Sequence, residues 1–161
     1  SWYRPKKGIA DLACGFNPLS YELLKDALGS ETPYFCLDLN KEDMKFLEHF
    51  FEKFSIQGKS MADSLLSYSF LEEKAFLDCD LVFLFKALDS LEHLERQSSK
   101  ELLDKLPQKH IVVSFPSQSL GSQEDFDSKK RSWFYKFLEK EEWEFQTFEI
   151  ENELFFLITK D

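Results

Sequence analysis

Three aspartates stand where short apolar segments of the chain give way to polar turns. Asp11 lies late in Gly8–Leu12, Asp38 ends Tyr34–Asp38, and Asp63 follows Met61 and Ala62. Ligands of open α/β sheets bind at the carboxyl ends of the strands, where a carboxylate can accept hydrogen bonds from a ribose. The pattern indicates an adenosine-containing ligand, with Asp38 on the ribose and Asp63 on the adenine amino group. The alternatives are a helix N-terminal acid for Asp38 and a solvated loop acid for Asp63.

The turn after Asp11 separates two classes of such ligands. Ala13, Cys14 and Gly15 put small residues where the backbone must pass close to a ligand. A GxGxxG motif would admit a pyrophosphate to the helix N-terminus, but this turn has one glycine, and Pro18 stands where a third would. The turn argues against NAD and favours S-adenosylmethionine (SAM), although a generic tight turn of another α/β protein remains the alternative.

Strands that alternate with helices are predicted around these aspartates, which is typical of a mostly parallel sheet covered on both faces. The predicted strands are Gly8–Leu12, Tyr34–Asp38, a weak Ser55–Gly58, Asp80–Phe85, His110–Phe115, Glu144–Glu149 and Leu154–Thr159. The predicted helices are Leu19–Leu28, Lys41–Phe54, Gln97–Leu106 and Ser128–Lys140, with Leu65–Leu77 ambiguous. The helix at Lys41–Phe54 should bury Met44, Leu47, Phe50, Phe51 and Phe54. About seven strands, the last two an antiparallel hairpin, predict an α/β fold of the Rossmann-like class I methyltransferase type.

Composition limits the class of protein. With 161 residues, 43% of them hydrophobic and 18 of them Phe, the chain suits one domain spanning residues 1–161. It has no run of eighteen apolar residues and no signal-peptide core, so we expect no membrane association. The three cysteines form no CxxC pair, so we predict no metal site and buried thiols in a cytoplasmic protein.

The net charge of −10 is unusual for a protein that binds nucleic acid. Neutralising phosphates normally supplies most of that affinity, so RNA binding requires a local basic patch or a further segment. Lys129, Lys130 and Arg131 are the candidate patch, and a solvated helix face is the alternative reading of them. DNA binding is not expected.

Several segments resemble the aminoglycoside-resistance 16S rRNA guanine-N7 methyltransferases. The turn Asp11–Leu19 is similar to their motif I, and further similarity follows in Leu84–Leu88, Leu91–Glu92, Val112–Gly121 and Glu153–Ile158. The resemblance therefore spans nearly the whole chain. It implies SAM as the cofactor and ribosomal RNA or the small ribosomal subunit as the partner of a monomeric enzyme.

The resemblance also implies roles for individual residues. Those expected to hold SAM are Asp11, Ala13, Cys14, Gly15, Asn17, Asp38, Leu39, Ala62, Asp63 and Phe85. Those expected to face the acceptor guanine are Lys86, Ser114, Phe115 and Ser117, in a segment that continues to Leu120. Guanine N7 carries a free lone pair, so the site must mainly align N7 with the methyl group, and Lys86 can hydrogen-bond the guanine oxygen. A strand-end lysine that extends into solvent is the alternative reading of Lys86.

Two departures from the family pattern put the acceptor in doubt. Only seven residues precede the first strand, so the family's N-terminal helical extension is expected to be absent. Gln118 replaces an arginine, and the acids Glu124, Asp125 and Asp127 follow where the family is basic. A methyltransferase for another RNA, a protein or a small molecule is therefore an alternative, as is a degenerate domain that only binds.

Overall fold

The computed structural model describes residues 3–117 and 128–161, and the side chains of residues 128–130 are not among those described. One seven-stranded sheet runs through the molecule in the order β3-β2-β1-β4-β5-β7-β6. Its strands are β1 (Ile9–Leu12), β2 (Tyr34–Asp38), β3 (Gly58–Ala62), β4 (Leu81–Phe85), β5 (His110–Pro116), β6 (Glu144–Ile150) and β7 (Glu153–Thr159).

Strand direction determines which residues meet at each edge of the sheet. The five strands β1 to β5 are parallel, with Asp11 opposite Cys36 and Phe85 opposite Ser114. Strand β7 runs antiparallel to β5, so Glu153 at its start lies opposite Pro116 at the end of β5. The first residues of β7 therefore share an edge with the carboxyl ends of the parallel strands.

Among the described residues, six α-helices cover the two faces of the sheet: α1 (Tyr21–Leu28), α2 (Lys41–Lys53), α3 (Lys74–Leu77), α4 (Leu88–Leu94), α5 (Ser98–Lys105) and α6 (Ser128–Lys140). One buried cluster joins α1 and α2 to the sheet through residues such as Tyr21 and Leu47. A larger buried cluster joins the four helices α3, α4, α5 and α6 to the opposite face of the sheet. There Phe115, Phe134 and Phe156 pack together, with 4.9 to 5.8 Å between their ring centroids.

The fold class predicted from the sequence is confirmed, with corrections to individual elements. The weak third strand at Ser55–Gly58 is wrong: the strand is Gly58–Ala62, and it pairs with β2 from Tyr34 opposite Gly58. Helix α4 was missed. Met44, Leu47 and Phe51 are buried as predicted, but Phe54 is 55% exposed because it follows the last turn of α2.

We expect Gly58→Ala to destabilise the edge of the sheet next to α2. A Cβ at this position would stand 2.7 Å from the Phe51 ring, which is itself fully buried. Overpacking of this kind costs about 1–3 kcal/mol, a decrease that urea unfolding would measure. Adding Phe51→Leu should recover part of that stability, and a double variant whose losses simply add would contradict the clash.

Candidate functional site

A cavity of about 190 Å³ opens at the carboxyl ends of β1 to β4. Six residues that the sequence singled out line it: Ala13, Asp38, Leu39, Asp63, Phe85 and Lys86. Its apolar wall comes from Leu37, Leu65, Leu66, Leu91 and Leu94, and the remaining lining residues are Ser64, Ala87 and Ser90. The cavity thus combines acids on one side with an apolar wall on the other.

The turn after β1 is held in a conformation that costs free energy. Ala13 has φ 59° and Gly15 has φ 52°, both in the left-handed region. A non-glycine residue there costs about 1–3 kcal/mol and persists where surrounding contacts impose it, often at functional sites. Cys14 N donates to Leu37 O at 3.0 Å, and Gly15 N donates to the carboxylate of Asp38 at 2.8 Å. The turn is therefore anchored to the end of β2.

Asp38 has lone pairs left for a ligand. Its Oδ2 accepts from Gly15 N, and its Oδ1 accepts from Leu39 N at 2.7 Å. A carboxylate offers about four lone-pair directions, so each oxygen retains acceptor capacity. The side chain is half-buried and lines the cavity, as binding of a diol requires.

Asp63 is an oriented acceptor rather than a freely solvated acid. Its carboxylate accepts hydrogen bonds from Ser69 Oγ and from Ser64 N. These bonds lower the pKa of Asp63 below its usual 3.8, and the bond from Ser69 has the larger effect. The group stays ionised at neutral pH and faces the cavity at the end of β3.

Asp11 lies beneath the turn and is completely buried. Tyr34 Oη donates to its Oδ2 at 2.7 Å, while Oδ1 accepts no hydrogen bond of good geometry from any described residue. Burial raises the pKa of Asp11 to about 6, against the opposing effects of Tyr34 and the nearby Asn17 amide. A buried carboxylate with an open oxygen is suited to a cationic or hydrogen-bond-donating ligand.

Asp11→Asn should make the free protein more stable at neutral pH. Asp11 favours the folded state when protonated, because its folded pKa of about 6 exceeds the ordinary 3.8. The stabilisation of the folded state by protonated Asp11 is fully present below about pH 4 and is lost as the pH rises through about 6. The stability advantage of Asp11→Asn should therefore grow by up to about 3 kcal/mol between pH 4 and 7.5. Urea unfolding of both proteins across this range measures it, and an advantage independent of pH would contradict an ionised, buried Asp11.

A second polar group lies beside the cavity, where β4 and β5 end and β7 begins. Lys86 has φ 53°, and its N–H donates to Ser114 O at 3.0 Å. The Glu153 carboxylate accepts from Ser114 Oγ at 2.5 Å and lies 3.4 Å from Lys86 Nζ. The Lys86 side chain remains 59% exposed, so its ammonium group is oriented by Glu153 and still accessible.

Other residues singled out from the sequence lie around this centre without lining the cavity. Asn17 is exposed, Ala62 is half-buried in the strand pair β2–β3, and the Cys14 thiol is buried and donates to Gly15 O. Ser117 N donates to Asn152 O at 2.7 Å at the end of β5. The predicted segment from Gln118 to Leu120 lies outside the described residues.

Phe115 and Arg131 are more deeply buried than the sequence suggested. Alternation along β5 places Phe115 on the face opposite to Ser114, and both side chains are fully buried, so contact of either with an acceptor stays a prediction. Arg131 was grouped with a solvent-facing basic patch, but its side chain is 5% exposed and paired with Asp89. The patch therefore cannot include Arg131.

Two sources of residues near the cavity were not predicted from the sequence. Glu153 was noted only as the first residue of a segment that resembles the family, and its position at the site depends on the antiparallel direction of β7. Ser90, Leu91 and Leu94 line the cavity from α4, which was not predicted. The signal for this helix was the pair Leu88 and Leu91, spaced by three residues.

A larger groove, of about 560 Å³, lies at the opposite edge of the parallel strands. It is lined by residues at the starts of β2 and β3 and includes none of the predicted site residues. Within residues 3–117 and 128–161, no helix has the length and apolar character to cross a bilayer.

The sheet order, the antiparallel β7 and the cavity at the carboxyl edge define a Rossmann-like class I methyltransferase fold. Residues 4–158 match the ribosomal RNA methyltransferase (FmrO) family, and the chain belongs to that family.

Two relatives carry the name 16S rRNA (guanine(1405)-N(7))-methyltransferase. One, from Frankia casuarinae, is 29% identical over 94% of this chain and 52% of its own length. The other, from Micromonospora rosea, is 32% identical over 94% of this chain and 53% of its own length. The chain thus spans about half the length of the relatives it matches.

A solved structure agrees with the fold. The 16S rRNA methyltransferase RmtF, crystallised in complex with S-adenosyl-L-homocysteine, has a TM-score of 0.78 and 24% identity to this chain. The match covers 96% of this chain and 56% of RmtF.

Proposed function

We propose that this chain is a SAM-dependent methyltransferase that methylates guanine N7 in small-subunit ribosomal RNA. The observation that carries the proposal is the cavity in which Ala13, Asp38 and Asp63 stand beside Lys86. Membership of the rRNA methyltransferase family and the names of the relatives support the same reaction.

The residues present fit SAM. Asp38 would accept from the ribose hydroxyls, Asp63 from the adenine amino group, and the leucines of the cavity wall would contact the adenine ring. The strained turn at Ala13 would lie along the methionine part, where the small side chain allows close approach. Ionised Asp11, buried beneath the turn, would attract the positive charge of an amino group at this end without contacting it.

When bound, SAM supplies an electrophilic methyl group on a sulfonium. Guanine N7 is a neutral nucleophile with a free lone pair, so the residues need not remove a proton. Their contribution is alignment of the acceptor, which can account for much of the acceleration of a two-substrate reaction. No described residue is required to act as a general base.

Lys86 is the residue we assign to the acceptor. Its ammonium group extends from the end of β4, beside the cavity, and Glu153 limits its orientations. A hydrogen bond from Lys86 to the guanine oxygen would fix the base so that N7 points into the cavity. Such charge-assisted hydrogen bonds contribute about 1.5–3 kcal/mol.

The test is methyl transfer from labelled SAM to separate acceptors: small subunits, naked 16S rRNA, large subunits and a ribosome-free protein extract. Label in small subunits alone is the expected result. Label only in another acceptor would keep the enzyme and replace the substrate, an alternative that the net charge of −10 motivates. SAM binding without transfer to any acceptor would contradict the enzymatic proposal. Monomeric state and cytoplasmic location stay predictions.

A further inference from the structure

Arg131 is a buried charged residue that connects three elements next to the acceptor side of the cavity. It lies in α6, and its Nη1 donates to Asp89 Oδ1 at 2.5 Å in the first turn of α4. Its Nη2 lies 3.4 Å from Pro116 O at the end of β5, and the guanidinium stands 4.2 Å from the centroid of the Phe115 ring. Hydrogen bonding, charge pairing and stacking thus act on one side chain.

The elements joined in this way carry the proposed acceptor residues. Asp89 follows Lys86 by three residues, and Pro116 lies between Ser114 and Ser117. Lys86 N also bonds directly to Ser114 O, so the loop after β4 and the end of β5 form one connected unit. Through its contacts with Asp89 and Pro116, the buried Arg131 side chain links both parts of this unit to α6.

Stability alone is a weak reason for a buried ion pair, since desolvation offsets much of the attraction and apolar replacements are often neutral. A planar guanidinium can instead fix the relative placement of three groups at once, which a lysine or an apolar side chain cannot do. Asp38 and Asp63 stand at the ends of β2 and β3, on strands to which these contacts of Arg131 do not extend.

We propose that Arg131 is a positioning residue for methyl transfer: it holds the loop carrying Lys86 against the end of β5, where the acceptor binds. The inference rests on the proposed function and assigns Arg131 no contact with substrate. Displacement of Lys86 by about 1 Å would lower the turnover rate by up to about 100-fold, while the polar groups assigned to SAM, Asp38 and Asp63, would keep their positions.

Arg131→Met keeps most of the side-chain volume and removes the charge. With saturating SAM, we expect kcat for small subunits to fall about 10- to 100-fold while the Kd for SAM changes less than about threefold. Arg131→Lys should recover only part of kcat. Asp89→Ala should cost much less in the Arg131→Met background than alone. Arg96→Met, at an exposed arginine, is the matched control. Unchanged kcat in Arg131→Met would overturn the inference.

Amide hydrogen exchange of the free protein gives a readout that does not depend on activity. In Arg131→Met, amides in residues 86–89 and 114–117 should exchange at least about tenfold faster, with β2 and β3 unchanged. Unaltered exchange there would also overturn the inference. If the unsubstituted protein transfers no methyl group, the proposed function fails, and exchange alone then decides whether Arg131 holds the two segments together.

Discussion

Asp38→Ala is expected to lower the affinity for SAM by at least about 100-fold. The substitution removes the acceptor for the ribose hydroxyls, and hydrogen bonds to a charged group contribute about 1.5–3 kcal/mol each. It also removes the bond from Gly15 N at 2.8 Å, which anchors the strained turn after β1. Two parts of the proposed cofactor site are lost together, which makes this the largest expected effect on binding.

Calorimetric titration with SAM measures this loss. Asp26→Ala is the matched control, because Asp26 is an exposed acid on α1 and its loss changes the net charge equally. Asp38→Asn separates the two causes, since an amide oxygen can still accept one hydrogen bond without the charge. If Asp38→Ala binds SAM as tightly as the unsubstituted protein, the acid after β2 is a helix N-terminal residue and the cofactor assignment is wrong.

Lys86→Met is expected to reduce methyl transfer about 10- to 100-fold and to leave SAM binding within about threefold. Methionine retains the apolar stem that borders the cavity but has no ammonium group for the guanine oxygen or for Glu153. Loss of an interaction made with the acceptor should appear in the rate for small subunits, because no hydrogen bond to SAM is assigned to the Lys86 side chain.

Single-turnover transfer with saturating SAM is the measurement, and Lys109→Met is the control at an exposed lysine before β5. A proportional loss in the control would indicate a general effect of net charge on RNA encounter. Full activity of Lys86→Met would mean that Lys86 is a strand-end lysine in solvent. A different group would then have to hydrogen-bond the guanine oxygen.

The central strands could be predicted from sequence because each is a short run of mainly apolar residues. Strand β3 could not: Gly58–Ala62 contains Lys59 and Ser60 and is at most half-buried. Its pairing is set by β2 and by the approach of Gly58 to Phe51, neither of which is a local signal. Helix α4 is seven residues long and has no side-chain N-cap, so local capping signals were missing.

The cofactor side of the site was easier to predict than the acceptor side for the same reason. Asp11, Asp38 and Asp63 lie near the carboxyl ends of three parallel strands that are consecutive in the sequence, so the rule that parallel strands end at one edge places them together. Glu153 reaches the site only because β7 is antiparallel, and Arg131 acts across three elements far apart in sequence. The burial of Phe115 was not predicted, because membership of a motif does not reveal which face of β5 a residue occupies.

Nucleoside mass spectrometry of 16S rRNA, after incubation of small subunits with this protein and methyl-labelled SAM, shows whether guanine N7 is the acceptor. We expect labelled 7-methylguanosine, strongly reduced with Asp38→Ala and with Lys86→Met. If the protein binds SAM but produces no labelled 7-methylguanosine, or labels a different atom, the proposed reaction is wrong.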